Sequence, residues 1–116
     1  MSVNLYDAAY ELEKAVRQSD EYARLQKMYQ DVYADEAAKK MFESFRTLQL
    51  NLQQKQMMGQ EISQQEIEQA QRTVELVQQH PKIAGLMEAE QRMSMVIADL
   101  NKVIMKPLEE LYSTHQ

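Results

Sequence analysis

Residues that interrupt helices are almost absent from this chain, and this scarcity constrains its fold more than any other feature. Two glycines and two prolines occur in 116 residues. Proline in a helix interior removes a hydrogen bond, and glycine there costs about 1 kcal/mol relative to alanine. The rest of the composition is dominated by Ala, Leu, Glu, Gln, Lys, Arg and Met, which are strong helix formers. Because no segment alternates as a strand does, the sequence predicts an all-α fold.

Two apolar stripes with helical spacing occupy the N-terminal third of the chain. Asn4 and Ser19 precede them and are predicted N-caps, because such side chains accept hydrogen bonds from the free amides of a first helical turn. The stripes consist of Leu5, Ala8, Leu12 and Ala15, then Tyr22, Leu25, Tyr29 and Val32. Since neither glycine nor proline separates them, the pattern fits either two helices or one bent helix.

A long helical hairpin is predicted around Gly59. Asp35 is expected to cap its first helix, which presents an apolar seam at intervals of three and four residues. That seam consists of Ala38, Met41, Phe45, Leu48 and Leu52. Gly59 suits the left-handed conformation that ends a helix, and Ser63 with Glu66 matches the capping box that begins another. The apolar face of the second helix consists of Ile67, Ala70, Val74 and Val77.

His80-Pro81 marks the start of a long C-terminal helix, because the residue before proline avoids the helical region and proline suits a first helical turn. An apolar pattern then runs to about Leu111. Pro107 interrupts this pattern and is expected to kink or end the helix near Lys106. The chain is therefore predicted to form a single helical domain over residues 1–116, with about five helices.

The last helix favours an elongated, dimeric bundle. Residues 81–111 would span about 46 Å as a helix, whereas a compact domain of this size has a diameter of roughly 35 Å. A second apolar row lies beside the main one, and soluble monomers seldom expose large apolar patches. We therefore predict a homodimer, unless the first two helices cover the second row within one chain. The candidate interface residues are Phe45, Leu48, Leu52, Met93, Val96, Leu100 and Val103.

Residues that carry enzyme chemistry are scarce. The chain has no cysteine, which excludes disulfides, thiol nucleophiles and thiolate-held zinc or iron–sulfur sites. Its two histidines, His80 and His115, lack the Glu-x-x-His spacing of di-iron helical bundles. Two glycines cannot build a phosphate-binding loop, and no Gly-x-Ser-x-Gly motif occurs. We therefore expect no catalytic, cofactor-binding or metal-binding residues and no enzymatic activity.

The charge distribution disfavours nucleic acids as partners. The net charge is −5 and the longest basic run is Lys39-Lys40, whereas nucleic-acid binders cluster basic residues on one face. No apolar run approaches the roughly 18 residues of a membrane-spanning helix. The N-terminal sequence also lacks the basic and apolar regions of a signal peptide. We expect a cytoplasmic protein without direct nucleic-acid contact or membrane insertion.

Glu90 and the methionines each have two interpretations. Glu90 falls within the apolar pattern of the last helix, where it either sets the register of a helix contact or lies at the edge of the seam. Six methionines either form an adaptable docking surface or fill the core, since methionine repacks easily. They are Met57, Met58, Met87, Met93, Met95 and Met105.

The chain resembles the YlbF/YmcA-like small helical proteins of Gram-positive bacteria, and especially their YheA branch, over nearly its whole length. The order and spacing of helical motifs carry this resemblance. The motifs are Leu5-Tyr6-Asp7-Ala8-Ala9, Ser19-Asp20-Glu21-Tyr22, Phe45 with the Gln-rich approach to Gly59, His80-Pro81-Lys82-Ile83 and Glu88-Ala89-Glu90. The resemblance implies an all-α protein, often dimeric, without known catalytic residues.

The resemblance also implies a kind of function. Some of these relatives act as adaptors in a complex that affects RNA processing by a membrane-associated ribonuclease, and thereby competence, sporulation and biofilm formation. Those relatives use cysteines to help hold iron–sulfur clusters. This chain has no cysteine, so cluster binding does not carry over.

Our functional hypothesis is a homodimeric, non-catalytic helical adaptor or regulatory protein that acts through helix-in-groove contacts. Its expected partners are itself and another protein of a regulatory or RNA-processing complex. The alternatives are a holdase-like chaperone, which methionine-rich apolar faces favour, and a purely structural homo-oligomer.

Overall fold

Five α-helices account for nearly all of residues 4–115, which are the residues that the computed structural model describes. They are α1 (Leu5–Arg17), α2 (Asp20–Tyr33), α3 (Glu36–Met57), α4 (Gln64–Gln79) and α5 (Pro81–Thr114). Residues 4–115 contain no strand, so the all-α prediction is confirmed. The hairpin formed by α3 and α4 and the 34-residue C-terminal helix were also predicted from the sequence.

Polar side chains mark the start of α1 and the junction between α1 and α2. The Asn4 side chain accepts hydrogen bonds from the amides of Tyr6 and Asp7 and caps α1. The Ser19 hydroxyl donates to the Val16 carbonyl oxygen at 2.6 Å and accepts from the Tyr22 amide at 3.2 Å. Of the two possibilities left open by the sequence, the structure therefore has two helices rather than one bent helix.

The ends of the hairpin helices follow the predicted signals. Asp35 caps α3 by accepting a hydrogen bond from the Ala38 amide at 3.1 Å. Gly59 has a φ of 70°, the left-handed conformation that glycine adopts without a steric penalty. Ser63 and Glu66 form the reciprocal capping box at the start of α4. These signals locate the ends because each satisfies backbone groups that a helix leaves free.

Pro107 does not end the last helix, contrary to one of the two predicted outcomes. The helix α5 continues through Pro107 to Thr114. Proline removes one intrahelical hydrogen bond at this point, which would leave the Val103 carbonyl oxygen without its helical donor. All residues from Asn101 to Thr114 are exposed, so water can replace that donor.

The chain divides into two compact units, which we call the hairpin unit and the terminal unit. The hairpin unit comprises residues 26–87, and the terminal unit comprises residues 1–25 and 88–116, of which residues 4–25 and 88–115 are described. The boundaries fall inside α2 and α5, and both helices are continuous there. The single domain predicted for residues 1–116 stays a prediction.

The hairpin unit has its own apolar core. Phe42 is 1% exposed and is among the largest fully buried side chains. The other buried residues of this unit are Val32, Ala38, Phe45, Val77, Ile83 and Leu86. They come from α2, α3, α4 and the first turns of α5, so all four helical segments contribute to one core.

Two ion pairs link different helices within the hairpin unit. The Lys82 ammonium lies 3.1 Å from Asp35, which joins the start of α5 to the start of α3. The Lys55 ammonium lies 2.5 Å from Glu66, which joins the end of α3 to the start of α4. Hydrogen bonds from the Ala38 amide and then from Lys82 lower the pKa of the Asp35 carboxyl. Lys55, followed by Ser63, lowers the pKa of the Glu66 carboxyl in the same way.

The terminal unit buries much less. No residue of α1 is buried, and Ala89 and Met93 are the buried apolar residues of the described part of this unit. Leu12, Val16 and Leu100 are half-buried. This unit therefore presents apolar helices whose facing sides are only partly covered.

Candidate protein-binding surface

An open groove runs along the terminal unit between α1 and α5. Its volume is about 400 Å³. It is lined by Ala9, Leu12, Glu13, Val16, Arg17, Tyr22, Ile97, Leu100, Asn101 and Ile104. We call it the α1–α5 groove. Most of its lining is apolar, and its paired charges, Glu13 and Arg17, lie 2.9 Å apart and are more than half exposed.

The two helices that line this groove also carry large apolar side chains that are exposed. Leu5 of α1 is 73% exposed, and Val103 and Ile104 of α5 are 68% and 61% exposed. The large exposed apolar residues of the two helices, apart from Met95, define what we call the α1–α5 surface: Leu5, Tyr6, Tyr10, Ile97, Val103, Ile104, Met105, Leu108, Leu111 and Tyr112. Soluble monomers rarely leave so many large apolar side chains together in water.

The apolar side of α5 is wider than one neighbouring helix covers. At about 100° per residue, the arc from Val103 through Ile104 to Met105 is about 200° wide. A helix that packs on a single neighbour needs an apolar stripe of about 100°. Lys102 and Lys106 fall on the opposite side of α5 by the same geometry. The α5 helix therefore offers a second apolar contact face in addition to the one toward the groove.

The residues predicted to form an interface lie in both units. Phe45 is buried in the core of the hairpin unit, and Leu48 and Leu52 are half-buried there. In the terminal unit, Met93 is buried, Val96 and Leu100 are half-buried, and Val103 is exposed. The seven residues stay a prediction as an interface.

The sequence placed several residues of the α1–α5 surface on the apolar faces of helices, without showing whether those faces are covered within the chain. Leu5 and the row from Ile97 to Leu111 have the helical spacing of a core stripe, and that spacing carries no signal of exposure. The two tyrosines of α1, Tyr6 and Tyr10, were not predicted as part of any surface. The sequence did contain a signal of such a surface, because α1 carries more apolar residues than a single apolar stripe requires.

Exposed methionines occur in both units. Met57 and Met58 are 81% and 65% exposed at the end of α3, and Met95 and Met105 of α5 are exposed as well. Met93 is buried, and Met87 is half-buried. Met93 therefore fills the core, whereas a docking role for the exposed methionines stays a prediction.

Aromatic rings and cations form a cluster on the hairpin unit. Phe42 packs edge-on against Tyr29 and Tyr33, with ring centroids 6.1 and 6.4 Å away. The Arg46 guanidinium lies 4.9 Å from the Phe42 ring centroid and donates a hydrogen bond to the Tyr29 hydroxyl at 2.5 Å. The Lys39 ammonium lies 5.8 Å from the Tyr33 ring. The cluster packs α2 on α3, with the tyrosine hydroxyls at the rim.

The described residues show no cluster of metal-binding side chains. Within residues 4–115, no group of three or more His, Cys, Asp or Glu side chains is arranged to hold a metal ion. Glu90 is half-buried on α5. Across those same residues, every helix is too short or too polar to cross a membrane.

The fold and the sequence place the chain in a family of small helical proteins. The family described as control of competence regulator ComK, YlbF/YmcA, matches residues 5–109. The chain belongs to this YlbF/YmcA family, which confirms the resemblance seen in the sequence.

Relatives and solved structures agree with this assignment. The UPF0342 protein YheA of Bacillus subtilis is 66% identical over 114 residues, which are 98% of this chain and 97% of YheA. A DUF964 protein from Bacillus stearothermophilus has a similar solved structure, with a TM-score of 0.88, 46% identity and coverage of 97% of this chain and 98% of the other. Bacillus subtilis RicA, solved in complex with RicF, shares the fold with a TM-score of 0.67 at 18% identity, covering 97% of this chain and 99% of RicA.

Proposed function

We propose that this protein is a non-catalytic adaptor or regulatory protein that acts in the cytoplasm by binding other proteins, including a second copy of itself. The observation that carries the proposal is the α1–α5 surface, with its open groove and its exposed apolar residues. An apolar groove between helices is a recurrent site for an amphipathic helix of a partner. Burying this surface would remove a large apolar area from water, which is the main driving force of protein association.

The relatives support the general part of this proposal, which is that the protein binds other proteins. RicA, which shares this fold, was solved in complex with a second protein, RicF. A partner in a regulatory complex would be consistent with the family to which the chain belongs, which is described by its control of the competence regulator ComK. A partner in an RNA-processing complex is what the sequence resemblance implies. The absence of cysteine separates this chain from relatives that hold iron–sulfur clusters, so we expect its contacts to form without a cofactor.

The first experiment is a pull-down with tagged full-length protein from a nuclease-treated extract of the native host. Bound proteins are quantified relative to the bait by mass spectrometry. We expect one partner at near-stoichiometric amounts, and we expect Leu108→Glu, which places a charge in the α1–α5 surface, to reduce it at least tenfold. The matched control is Lys102→Glu, because Lys102 lies on the opposite side of the same helix.

Two outcomes would contradict the adaptor proposal. Recovery of the bait alone would favour a purely structural homo-oligomer. Recovery of many proteins at low amounts would favour a holdase-like chaperone, which the exposed Met57 and Met58 favour because methionine adapts to varied partners. A chaperone would also suppress light scattering by a heat-denatured client protein, whereas an adaptor would leave that scattering unchanged.

A further inference from the structure

Two adjoining cavities lie between α3 and α4 of the hairpin unit. Their volumes are about 530 and 430 Å³. Leu48, Asn51 and Gln69 line both cavities, so the two form one continuous trough, which we call the α3–α4 trough. From Glu43 to Lys55 the trough follows α3 for about 18 Å, at roughly 1.5 Å per residue. No residue of the α1–α5 surface lines it.

Uncharged polar side chains make up most of the exposed lining of the α3–α4 trough. Within the described chain, none of these side chains forms a hydrogen bond with another residue. An amide side chain carries two N–H donors and an acceptor oxygen, and a hydroxyl group both donates and accepts. The trough therefore offers donors and acceptors along its whole length. The residues are Ser44, Thr47, Asn51, Gln54, Gln60 and Gln69.

This lining favours an extended polypeptide segment over a helix as the occupant. A helix pairs its backbone groups internally, so an apolar helix would bury the polar side chains of the trough without giving them partners. An extended segment presents an N–H and a C=O group at each residue, and these groups need partners when they leave water. Main-chain hydrogen bonds supply the affinity in this mode of recognition, and contacts to alternate side chains supply the specificity.

The charges of the α3–α4 trough favour a basic residue in that segment. The exposed Glu43 carboxylate takes part in no ion pair with another described residue, whereas Lys55 and Glu66 are paired with each other. A lysine or arginine of the segment would give Glu43 an opposite charge. A neutral carbohydrate would not use this carboxylate, and the phosphates of a nucleic acid would be repelled by it.

The spacing of three lining residues sets the pattern of the segment. Leu48 and Leu52 are half-buried, and they follow Glu43 by about 7.5 and 13.5 Å along the axis of α3. An extended chain advances about 3.3 Å per residue and directs every second side chain to the same face. Side chains two and four positions from the basic residue therefore reach about 6.6 and 13.2 Å, close to the two leucines.

We propose that the α3–α4 trough binds an extended segment of another protein in which apolar residues lie two and four positions from a lysine or arginine. The basic side chain pairs with Glu43, the apolar side chains contact Leu48 and Leu52, and the main chain bonds to the uncharged polar side chains. This inference goes beyond the proposed function, because it gives the protein a second binding surface. An adaptor needs such a surface to join two different proteins.

Two synthetic peptides test the proposal in both chain directions. They are acetylated and amidated forms of Ala-Lys-Thr-Leu-Thr-Leu-Ala and of its reverse, Ala-Leu-Thr-Leu-Thr-Lys-Ala. Isothermal titration calorimetry with the purified full-length protein measures their affinities. We expect one of them to bind saturably, with one peptide per chain. The control peptide Ala-Lys-Leu-Thr-Thr-Leu-Ala has the same composition but the wrong spacing, and we expect it to bind at least tenfold more weakly.

Exchange of the charge at Glu43 locates the binding site. We expect Glu43→Lys to weaken the lysine peptide at least tenfold and to bind the matching peptide in which glutamate replaces lysine. The control Glu75→Lys changes an exposed carboxylate of α4 outside the trough and should leave both affinities unchanged. We expect Asn51→Ala to weaken binding about fivefold through lost hydrogen bonds, and the exposed Gln53→Ala to have no effect.

Three outcomes would overturn the proposal. The first is that neither peptide binds saturably up to about 1 mM. The second is that Glu43→Lys leaves the affinity for the lysine peptide unchanged. The third is that binding is lost in Leu108→Glu and kept in Asn51→Ala, which would assign the peptide to the α1–α5 surface.

Discussion

The hairpin unit and the terminal unit differ in how much of their apolar surface they bury. Seven of the buried apolar residues lie in the hairpin unit and two lie in the described part of the terminal unit. Large exposed apolar residues have the reverse distribution, with six in the hairpin unit and eleven in the terminal unit. The hairpin unit therefore uses its apolar residues to hold itself together, whereas the terminal unit keeps most of them available for another surface.

The ion pairs also differ between the two units. In the hairpin unit, Lys82 pairs with Asp35 and Lys55 pairs with Glu66, and each pair joins two helices. In the terminal unit, the Glu13–Arg17 and Glu88–Arg92 pairs each lie within one helix. Pairs of the second kind support a helix by a few tenths of a kcal/mol without fixing its neighbours. The comparison teaches that the described ion pairs of the hairpin unit join its helices to one another, whereas those of the terminal unit support single helices.

Truncation of Phe42 should have the largest effect on stability. Phe42→Ala removes a ring that is 1% exposed, and we expect the free energy of unfolding to fall by about 3–5 kcal/mol. The matched control is Leu50→Ala on the same helix, where the side chain is exposed and a change within about 0.5 kcal/mol is expected. Urea denaturation followed by circular dichroism measures both. Equal losses in the two variants would contradict a self-contained core in the hairpin unit.

Local signals made much of the fold predictable from the sequence. The caps Asn4, Ser19, Asp35 and Ser63 lie where they were predicted, because each interaction joins residues two or three positions apart. Such contacts depend little on the rest of the chain. Phe42 was missed as a core residue because the seam was drawn through Met41 and Phe45, and a neighbouring position is only about 100° away around the helix.

The division into two units and the location of the apolar surface were less predictable. Neither glycine nor proline interrupts α2 or α5 at the unit boundaries, and Glu90, which breaks the apolar pattern of α5 near one boundary, had two interpretations that did not include a change of packing. A stripe of residues such as Ile97, Ile104 and Leu111 shows that a helix has an apolar face. It does not show whether that face meets a neighbour in the same chain or in another. The predicted interface residues accordingly fall in both units.

Dilution should lower the stability of the protein if the terminal unit is stabilised by a second copy. If folding is coupled to dimer formation, the apparent free energy of unfolding rises by about 1.4 kcal/mol for each tenfold increase in protein concentration. Thermal melts at widely separated concentrations measure this dependence as a shift in Tm. We expect Leu108→Glu to abolish the shift and Phe42→Ala to retain it. A Tm that does not change with concentration in the natural sequence would remove the proposed difference between the two units.

Loss of the capping box should weaken the hairpin unit by a smaller amount. Ser63→Ala removes the oxygen that accepts from the Glu66 amide at 3.1 Å, and a loss of about 1 kcal/mol is expected. Ser94→Ala is the matched control, because Ser94 is exposed in the interior of α5, where alanine favours the helix. Urea denaturation should show destabilisation of the first variant alone. Similar values for both would mean that the capping box at the start of α4 contributes little to the stability of the hairpin unit.

The charge of Asp35 should have the smallest effect on the free energy of unfolding, and only at pH values where the carboxyl is ionised. Its pKa is lowered in the folded chain by the Ala38 amide and by Lys82, so its ionised form stabilises the fold at pH values above the ordinary carboxyl pKa. That contribution is lost as the pH falls below about 4 and passes through the lowered folded-state pKa. Asp35→Asn keeps a capping side chain but removes the charge, so it should be less stable than the natural chain at pH 7 and equal to it in strong acid.

The Lys82→Met variant separates the two causes of the lowered pKa at Asp35. The hydrogen bond from the Ala38 amide is the larger cause and remains in this variant, so we expect Lys82→Met to lose a smaller part of the pH dependence than Asp35→Asn. Urea denaturation between pH 3 and pH 7 measures the difference. A gap between Asp35→Asn and the natural chain that stays constant with pH would mean that the charge at the start of α3 does not hold the hairpin unit. Its internal stability would then rest on the apolar core around Phe42, which sharpens the contrast with a terminal unit that has few buried residues.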